Sequence, residues 1–155
     1  MKRRQFLALI GAAAVGWPRP SSAERAAVPV IGYLGFDTAE KSKELLVAFR
    51  EGLRTLGFVE DQNVAIEYRF AERKYDRYPD LIAKLVQDHV QVIVAATGTS
   101  GVLATTAATK TIPIVFAIPI DPVSVGVVSS LNRPGGNATG VSMYTQQLVG
   151  SSWPS

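Results

Sequence analysis

The chain contains no cysteine. That excludes disulfides, thiolate metal sites, a cysteine nucleophile and a lipid anchor on cysteine. Histidine is nearly absent: His89 is the single copy, so a histidine-based metal cluster is excluded and a serine nucleophile has one candidate base. Acidic residues are missing from the first 23 positions, where Lys2, Arg3, Arg4 and Arg19 lie. The 155 residues carry 16 basic and 13 acidic side chains, a net +3; setting those four aside leaves 12 against 13. The remainder is therefore close to neutral, without the Lys/Arg clustering that nucleic-acid binding requires. A long hydrophobic run is missing too. The apolar stretch Phe6 to Val15 is far short of the ~20 residues a membrane span needs.

What is present at the amino terminus has the layout of a secretory signal. Positive charge over residues 1–4 precedes the apolar stretch, Pro18 and Pro20 break it, and Ser21-Ser22-Ala23 offers small residues for cleavage. Lys2-Arg3-Arg4-Gln5-Phe6-Leu7 is similar to a twin-arginine signal, although general secretory signals can also begin with Lys-Arg-Arg. Residues 1–23 are thus expected to be read by export machinery and to direct the protein to the periplasm.

Beyond residue 24, apolar patterns alternate between two periods. Residues 28–34, ending at Gly35, read as a buried strand. Residues 39–56 carry Leu45, Leu46, Phe49, Leu53 and Leu56 at helical spacing, and Gly57 suits a left-handed cap. Residues 63–70 alternate as a strand with one wet face. A helix over 79–88 places Pro79 in its first turn. Residues 90–96 form a third strand. A turn at Thr97-Gly98-Thr99-Ser100-Gly101 opens a helix to about 109, and 112–116 is a fourth strand. Asp121-Pro122 has the form of a helix start, 133–137 of a turn, and 139–143 of a fifth strand. Alternating strands and helices predict an α/β fold: a parallel sheet in a three-layer α/β/α lobe, with helices on both faces. Ligands of such sheets bind beyond the carboxyl ends of the strands, which points to the loops 35–38, 71–75, 97–101 and 118–123.

From residue 30 to about 150 the chain resembles the bacterial ABC-transporter substrate-binding proteins of the family that includes tryptophan and phenylalanine binders. The resemblance is carried by Ile31-Gly32-Tyr33, Phe49-Arg50-Glu51-Gly52-Leu53, Leu56-Gly57-Phe58 and Asn63-Val64-Ala65-Ile66-Glu67-Tyr68-Arg69. It continues through Ala95-Ala96-Thr97, Ile112-Pro113-Ile114-Val115-Phe116, Asp121-Pro122-Val123 and the run from Arg133-Pro134-Gly135-Gly136-Asn137 to Ser142. It implies a type I periplasmic-binding-protein fold, in which two lobes close on a solute that passes to a membrane ABC permease. Residues 24–150 would be the amino-terminal lobe. Residues 151–155, Ser-Ser-Trp-Pro-Ser, match nothing expected after Gln146-Gln147-Leu148-Val149-Gly150, so the chain reads as a fragment cut before its second lobe.

The candidate binding residues are Phe36, Thr97, Thr99, Ser100, Asp121 and Ser142. Thr97 to Ser100 lie between a strand and a helix start, where backbone N–H groups and hydroxyls suit a carboxylate, or simply cap the helix. Asp121 either caps the following helix or meets a ligand ammonium. Phe36 either stacks on an apolar ligand or belongs to the core. Ser142 and Tyr144 touch ligand or shape a hinge. His89 at a helix end complements the helix dipole. The charged run 72–77 reads as a solvated loop, and Asn137-Ala138-Thr139 as a chance glycosylation pattern. No cofactor or metal is expected.

The competing class is an exported single-domain enzyme, a hydrolase or a nucleotide-dependent catalyst, because fold does not fix function. The residues oppose it. There is one histidine, no Gly-x-Gly-x-x-Gly follows the first strand, and no Lys follows the glycines of 97–101 as a phosphate loop requires.

Overall fold

The computed structural model describes residues 27–143. The expected export signal, Tyr144, the 146–150 segment and the 151–155 tail lie outside the described residues. Five strands, β1 (Val30–Gly35), β2 (Ala65–Phe70), β3 (Val92–Ala96), β4 (Ile114–Ile118) and β5 (Ala138–Ser142), alternate with helices α1 (Lys43–Thr55), α2 (Tyr78–Gln87) and α3 (Gly98–Ala108). The sheet is entirely parallel, in the order β2-β1-β3-β4-β5. The chain thus winds outward from β1 in both directions, and the α/β expectation holds.

Side chains alternate across the strands, and the two faces are treated differently. On one face Leu34 and Ile93 pack with Tyr78, Leu81, Ile82 and Leu85 of α2. A neighbouring cluster joins Ala95, Ile114, Phe116 and Ile118 to Val102 of α3 and to Val127 and Val128. Gly32 lets α2 approach closely: a Cβ there would lie 3.1 Å from Leu85 and Val90. On the other face Tyr33 meets the rings of Phe49 on α1 (5.3 Å), Tyr68 (5.8 Å) and Phe70 (6.1 Å). Arg50 pins α1 to β2, donating to Glu60 Oε2 (2.7 Å) and to the Tyr68 hydroxyl (3.1 Å).

That second face is only half covered. Parallel sheets normally bury both faces, yet among the described residues α1 lies over the β1–β2 half and no helix covers β3 to β5. Val115, Val141 (61% exposed) and Met143 (65% exposed) are left in a recess of about 520 Å³ with Leu45, Phe49 and Val94. The α1 stripe shows the same deficit: Leu46 is buried, while Leu45 and Leu56 are exposed.

Local signals set most boundaries. α1 starts four residues later than its apolar pattern indicates, after a turn in which Ser42 N–H donates to Thr38 O. It ends at Gly57 (φ 86), with Gly57 N–H on Arg54 O and Phe58 N–H on Leu53 O, a Schellman closure. α2 ends in the same motif with His89 in the left-handed position (φ 53) where glycine is usual, His89 N–H reaching Val86 O and Val90 N–H reaching Leu85 O. Asn137 holds the strand entry: its Nδ2 donates to Thr109 O (3.0 Å) and Ile112 O (2.7 Å), tying the approach to β5 onto the α3–β4 connection.

One predicted element is corrected. Asp121-Pro122 does not begin a helix; the segment makes tight turns in which Gly126 N–H bonds Val123 O and Val127 N–H bonds Pro122 O. Gly126 is left-handed (φ 77), and the β-branched and serine residues around it are poor helix formers. The turn instead directs Val127 and Val128 into the core.

Candidate functional site

The carboxyl ends of β1, β2 and β3 open onto a cleft of about 450 Å³. Phe36, Asp37 and Lys41 line it after β1, Tyr75 after β2, and Thr97, Gly98, Thr99 and Ser100 after β3. Its place follows from the topology: β1 and β3 are neighbours, but the crossovers from them lead to opposite faces, so their loops part and leave a crevice.

The β3 loop forms one wall. Thr97 occupies the N-cap position of α3 and is buried, but its side chain makes no capping hydrogen bond; Oγ1 donates to Gly98 O (3.3 Å). The sequence left capping and binding open, and the threonine does not cap. The first-turn N–H groups of α3 are therefore not closed off by Thr97, and together with the helix dipole they favour an anion. Gly98 (φ 70) makes the sharp entry, and Gly101 lets the helix pack: a Cβ at 101 would overlap Thr97 and lie 2.8 Å from the Tyr78 ring. The Tyr78 hydroxyl, buried beneath, donates to Thr97 O (3.2 Å) and fixes the loop from below. Burial pushes the Tyr78 phenol up to about 12.

The opposite wall is aromatic and charged. The rings of Phe36 and Tyr75 lie 5.3 Å apart, and Tyr75 meets Tyr78 edge-on at 6.1 Å. Phe36 both lines the cleft and packs against the core, so its two readings are not exclusive. The β2 loop reaches over it: Arg73 places its guanidinium 5.8 Å from the Phe36 ring, with Nε 3.5 Å from Asp37 Oδ1. Glu72 (φ 54) and Arg73 (φ 65) are consecutive non-glycine residues in the left-handed region, which costs on the order of 1 kcal/mol each.

Of the six candidates, Phe36, Thr97, Thr99 and Ser100 come together in this cleft. Asp121 and Ser142 are not among its lining residues. Asp121 Oδ1 accepts the Val123 N–H (3.0 Å), and Ser142 Oγ donates to Ile120 O (2.9 Å). Asp121 stands just beyond the carboxyl end of β4, where it closes a local turn, and Ser142 is the last residue of β5, where it ties the end of that strand to the segment after β4. Sequence reasoning missed Asp37, Lys41 and Tyr75. Asp37 and Tyr75 lie in loops the strand-end rule had marked, 35–38 and 71–75, although Tyr75 also sits inside the charged run read as solvated; Lys41 lies in the stretch read as the start of the first helix.

Comparison with known proteins gives this geometry its context. Residues 38–149 match the family described as ABC transporter substrate binding protein, and the chain belongs to that family. A tyrosine-binding protein of Clostridioides difficile is 34% identical over 96 residues, 62% of this chain and 28% of that protein. Among solved structures, an open, ligand-free substrate-binding protein with adhesive properties from Clostridium difficile superposes with a TM-score of 0.67 at 28% identity, over 74% of this chain and 39% of that one. A Streptococcus pneumonia ABC domain in complex with L-Trp superposes with a TM-score of 0.65 at 29% identity, over 74% and 38%. The chain therefore spans well under half the length of each of these relatives.

Proposed function

We propose that this chain forms one jaw of an extracytoplasmic solute-binding protein serving an ABC importer, and that its cleft takes the carboxylate end of an aromatic α-amino acid. The observation carrying this is the pairing, in one crevice, of an uncapped helix start at Thr97 to Ser100 with the Phe36–Tyr75 ring pair. The first suits a carboxylate and the second an aromatic side chain. Family membership, a relative named as a tyrosine-binding protein and a solved relative in complex with L-Trp support the same solute class.

Binding here needs no covalent chemistry. Solute contacts on two lobes would favour the closed form, which a membrane permease then recognises. Residues 1–23 are assigned to export by the twin-arginine or general secretory route, and residues 24–150 to the amino-terminal lobe. The second lobe's share of contacts would come from the additional polypeptide that the longer relatives carry.

The test is amide chemical-shift titration of the chain with L-tyrosine and L-tryptophan. Saturable shifts at Gly98, Thr99 and Ser100 are expected, weak because one jaw supplies only part of the contacts. Shifts confined to the β4–β5 ends, or none at all up to the solubility limit, would refute the assignment.

A further inference from the structure

The sequence offered Asp121 as the partner of a ligand ammonium, but Asp121 does not line the cleft, and its Oδ1 accepts the Val123 N–H. Another carboxylate does line it. Asp37 follows directly on Phe36 at the end of β1, across the crevice from the α3 start. Its Oδ1 is buried and accepts no hydrogen bond. Buried carboxylate oxygens are ordinarily satisfied, and one left without a donor calls for an explanation.

The neighbouring cation does not supply that donor. Arg73 Nε stands 3.5 Å from Asp37 Oδ1, close enough to offset the charge but beyond the roughly 2.7–3.2 Å usual for an N–H···O bond. Its position is imposed by the backbone. Arg73 N–H donates to Phe36 O (2.8 Å) and Lys74 N–H to Ala71 O (3.0 Å), holding two consecutive left-handed residues. Backbone strain of this kind persists where the surroundings over-determine it, here in a loop that brings a cation over Phe36 and beside Asp37. The Arg73 side chain is about three-fifths exposed, so water competes for its charge and the side chain can swing aside while the backbone stays held.

We infer that Asp37 is the acceptor for the ligand's ammonium group, and that Arg73 is the cation that stands in for that ammonium while the cleft is empty. This rests on the amino-acid reading above and extends it. An ammonium carries three donors on a compact charge and can complete the hydrogen bond to Oδ1 that Arg73 does not make. The cleft then selects zwitterions: the α3 start takes the carboxylate, Asp37 the ammonium, and the Phe36–Tyr75 pair the side chain. Carboxylic acids of the same shape without the amine leave Asp37 facing Arg73 and gain nothing from it.

The experiment compares L-tyrosine with its des-amino analogue, 3-(4-hydroxyphenyl)propionate, by the same amide titration in wild type, Asp37→Asn and Arg73→Gln. Wild type is expected to prefer tyrosine. Asp37→Asn should weaken tyrosine at least about tenfold, the loss of one charge-assisted hydrogen bond, and leave the analogue within about threefold. Retained analogue binding shows that the variant is folded and its cleft intact. Arg73→Gln should bind tyrosine as well as wild type or better. If wild type binds neither compound, the amino-acid reading fails. If wild type binds tyrosine but Asp37→Asn weakens both compounds equally, or neither, the ammonium assignment is overturned while the cleft reading stands. A tenfold or larger loss of tyrosine binding in Arg73→Gln would make Arg73 a ligand anchor and overturn the stand-in role.

Discussion

Removing a single oxygen at Tyr78 tests how the cleft is supported from beneath. Tyr78 is 2% exposed, its ring packs with Leu34, Leu81 and Ile82, and its hydroxyl donates to Thr97 O at 3.2 Å. Phenylalanine fills the same space, so what Tyr78→Phe loses is one neutral hydrogen bond, a net cost of about 1 kcal/mol at neutral pH. For a domain of this size that lowers Tm by roughly 4 °C. Alkaline pH should change the comparison. The phenol, pushed up to about 12 in the folded state by burial, ionises near 10 when the chain unfolds. A raised folded value means that the unfolded state releases its proton first. The stabilisation is complete below about pH 10 and is lost as pH rises through about 12. At about pH 11 wild type forfeits on the order of 1 kcal/mol that the phenylalanine variant keeps. The two proteins should therefore differ at neutral pH and nearly coincide at about pH 11. Tyr68, also raised to about 12 chiefly by burial, titrates in both and drops out of the difference. Urea unfolding followed by circular dichroism at the two pH values measures it. An unchanged gap would refute the burial argument, and a variant as stable as wild type at neutral pH would refute the contribution of the Thr97 bond.

Other perturbations bear on the frame around the cleft. Leu85→Ala empties a fully buried position between α2 and β1 and should cost about 3 kcal/mol by denaturant unfolding, with little change in m-value. His89→Gly should stabilise the chain by roughly 0.5–1 kcal/mol, because the left-handed C-terminal position of α2 strains any side chain; a destabilised glycine variant would show that the imidazole contributes more than the backbone costs. Asn137→Ala should cost about 1–3 kcal/mol by leaving the carbonyls of Thr109 and Ile112 without their donor. The nearly isosteric Asn137→Asp should be worse at neutral pH, since it sets a carboxylate against two carbonyl oxygens. Equal effects of Ala and Asp would argue that the amide donates to neither.

The family resemblance and the period of the apolar residues anticipated much of this structure. The five strands and three helices fall close to their predicted spans because each carries a local signal: alternation along β2, a one-sided stripe on α2, and a left-handed glycine after α1. The Asp121 helix failed because a capping dipeptide is a start signal only when a helix-forming sequence follows it. Here valines, serines and Gly126 follow. Asn137 was legible only as the end of a turn, a member of the run that carries the family resemblance and a chance glycosylation pattern. Its part in holding β5 depends on carbonyls 25 and 28 residues earlier, which no local motif reports.

What the sequence determined by itself was the parallel α/β plan, its strand-end loops and the place of Thr97, Thr99 and Ser100 at a helix start, since these follow from side-chain period and backbone capping over a few residues. Tertiary structure alone decided which loops meet. The order β2-β1-β3 brings Phe36, Asp37, Tyr75 and Thr97 to one crevice and puts Asp121 and Ser142 at the ends of other strands. It also turned a charged run that looked merely solvated into the arm that carries Arg73 to Asp37. Strand order is set by packing between residues far apart in the chain, and so the composition of the cleft could not be read from any one stretch of it.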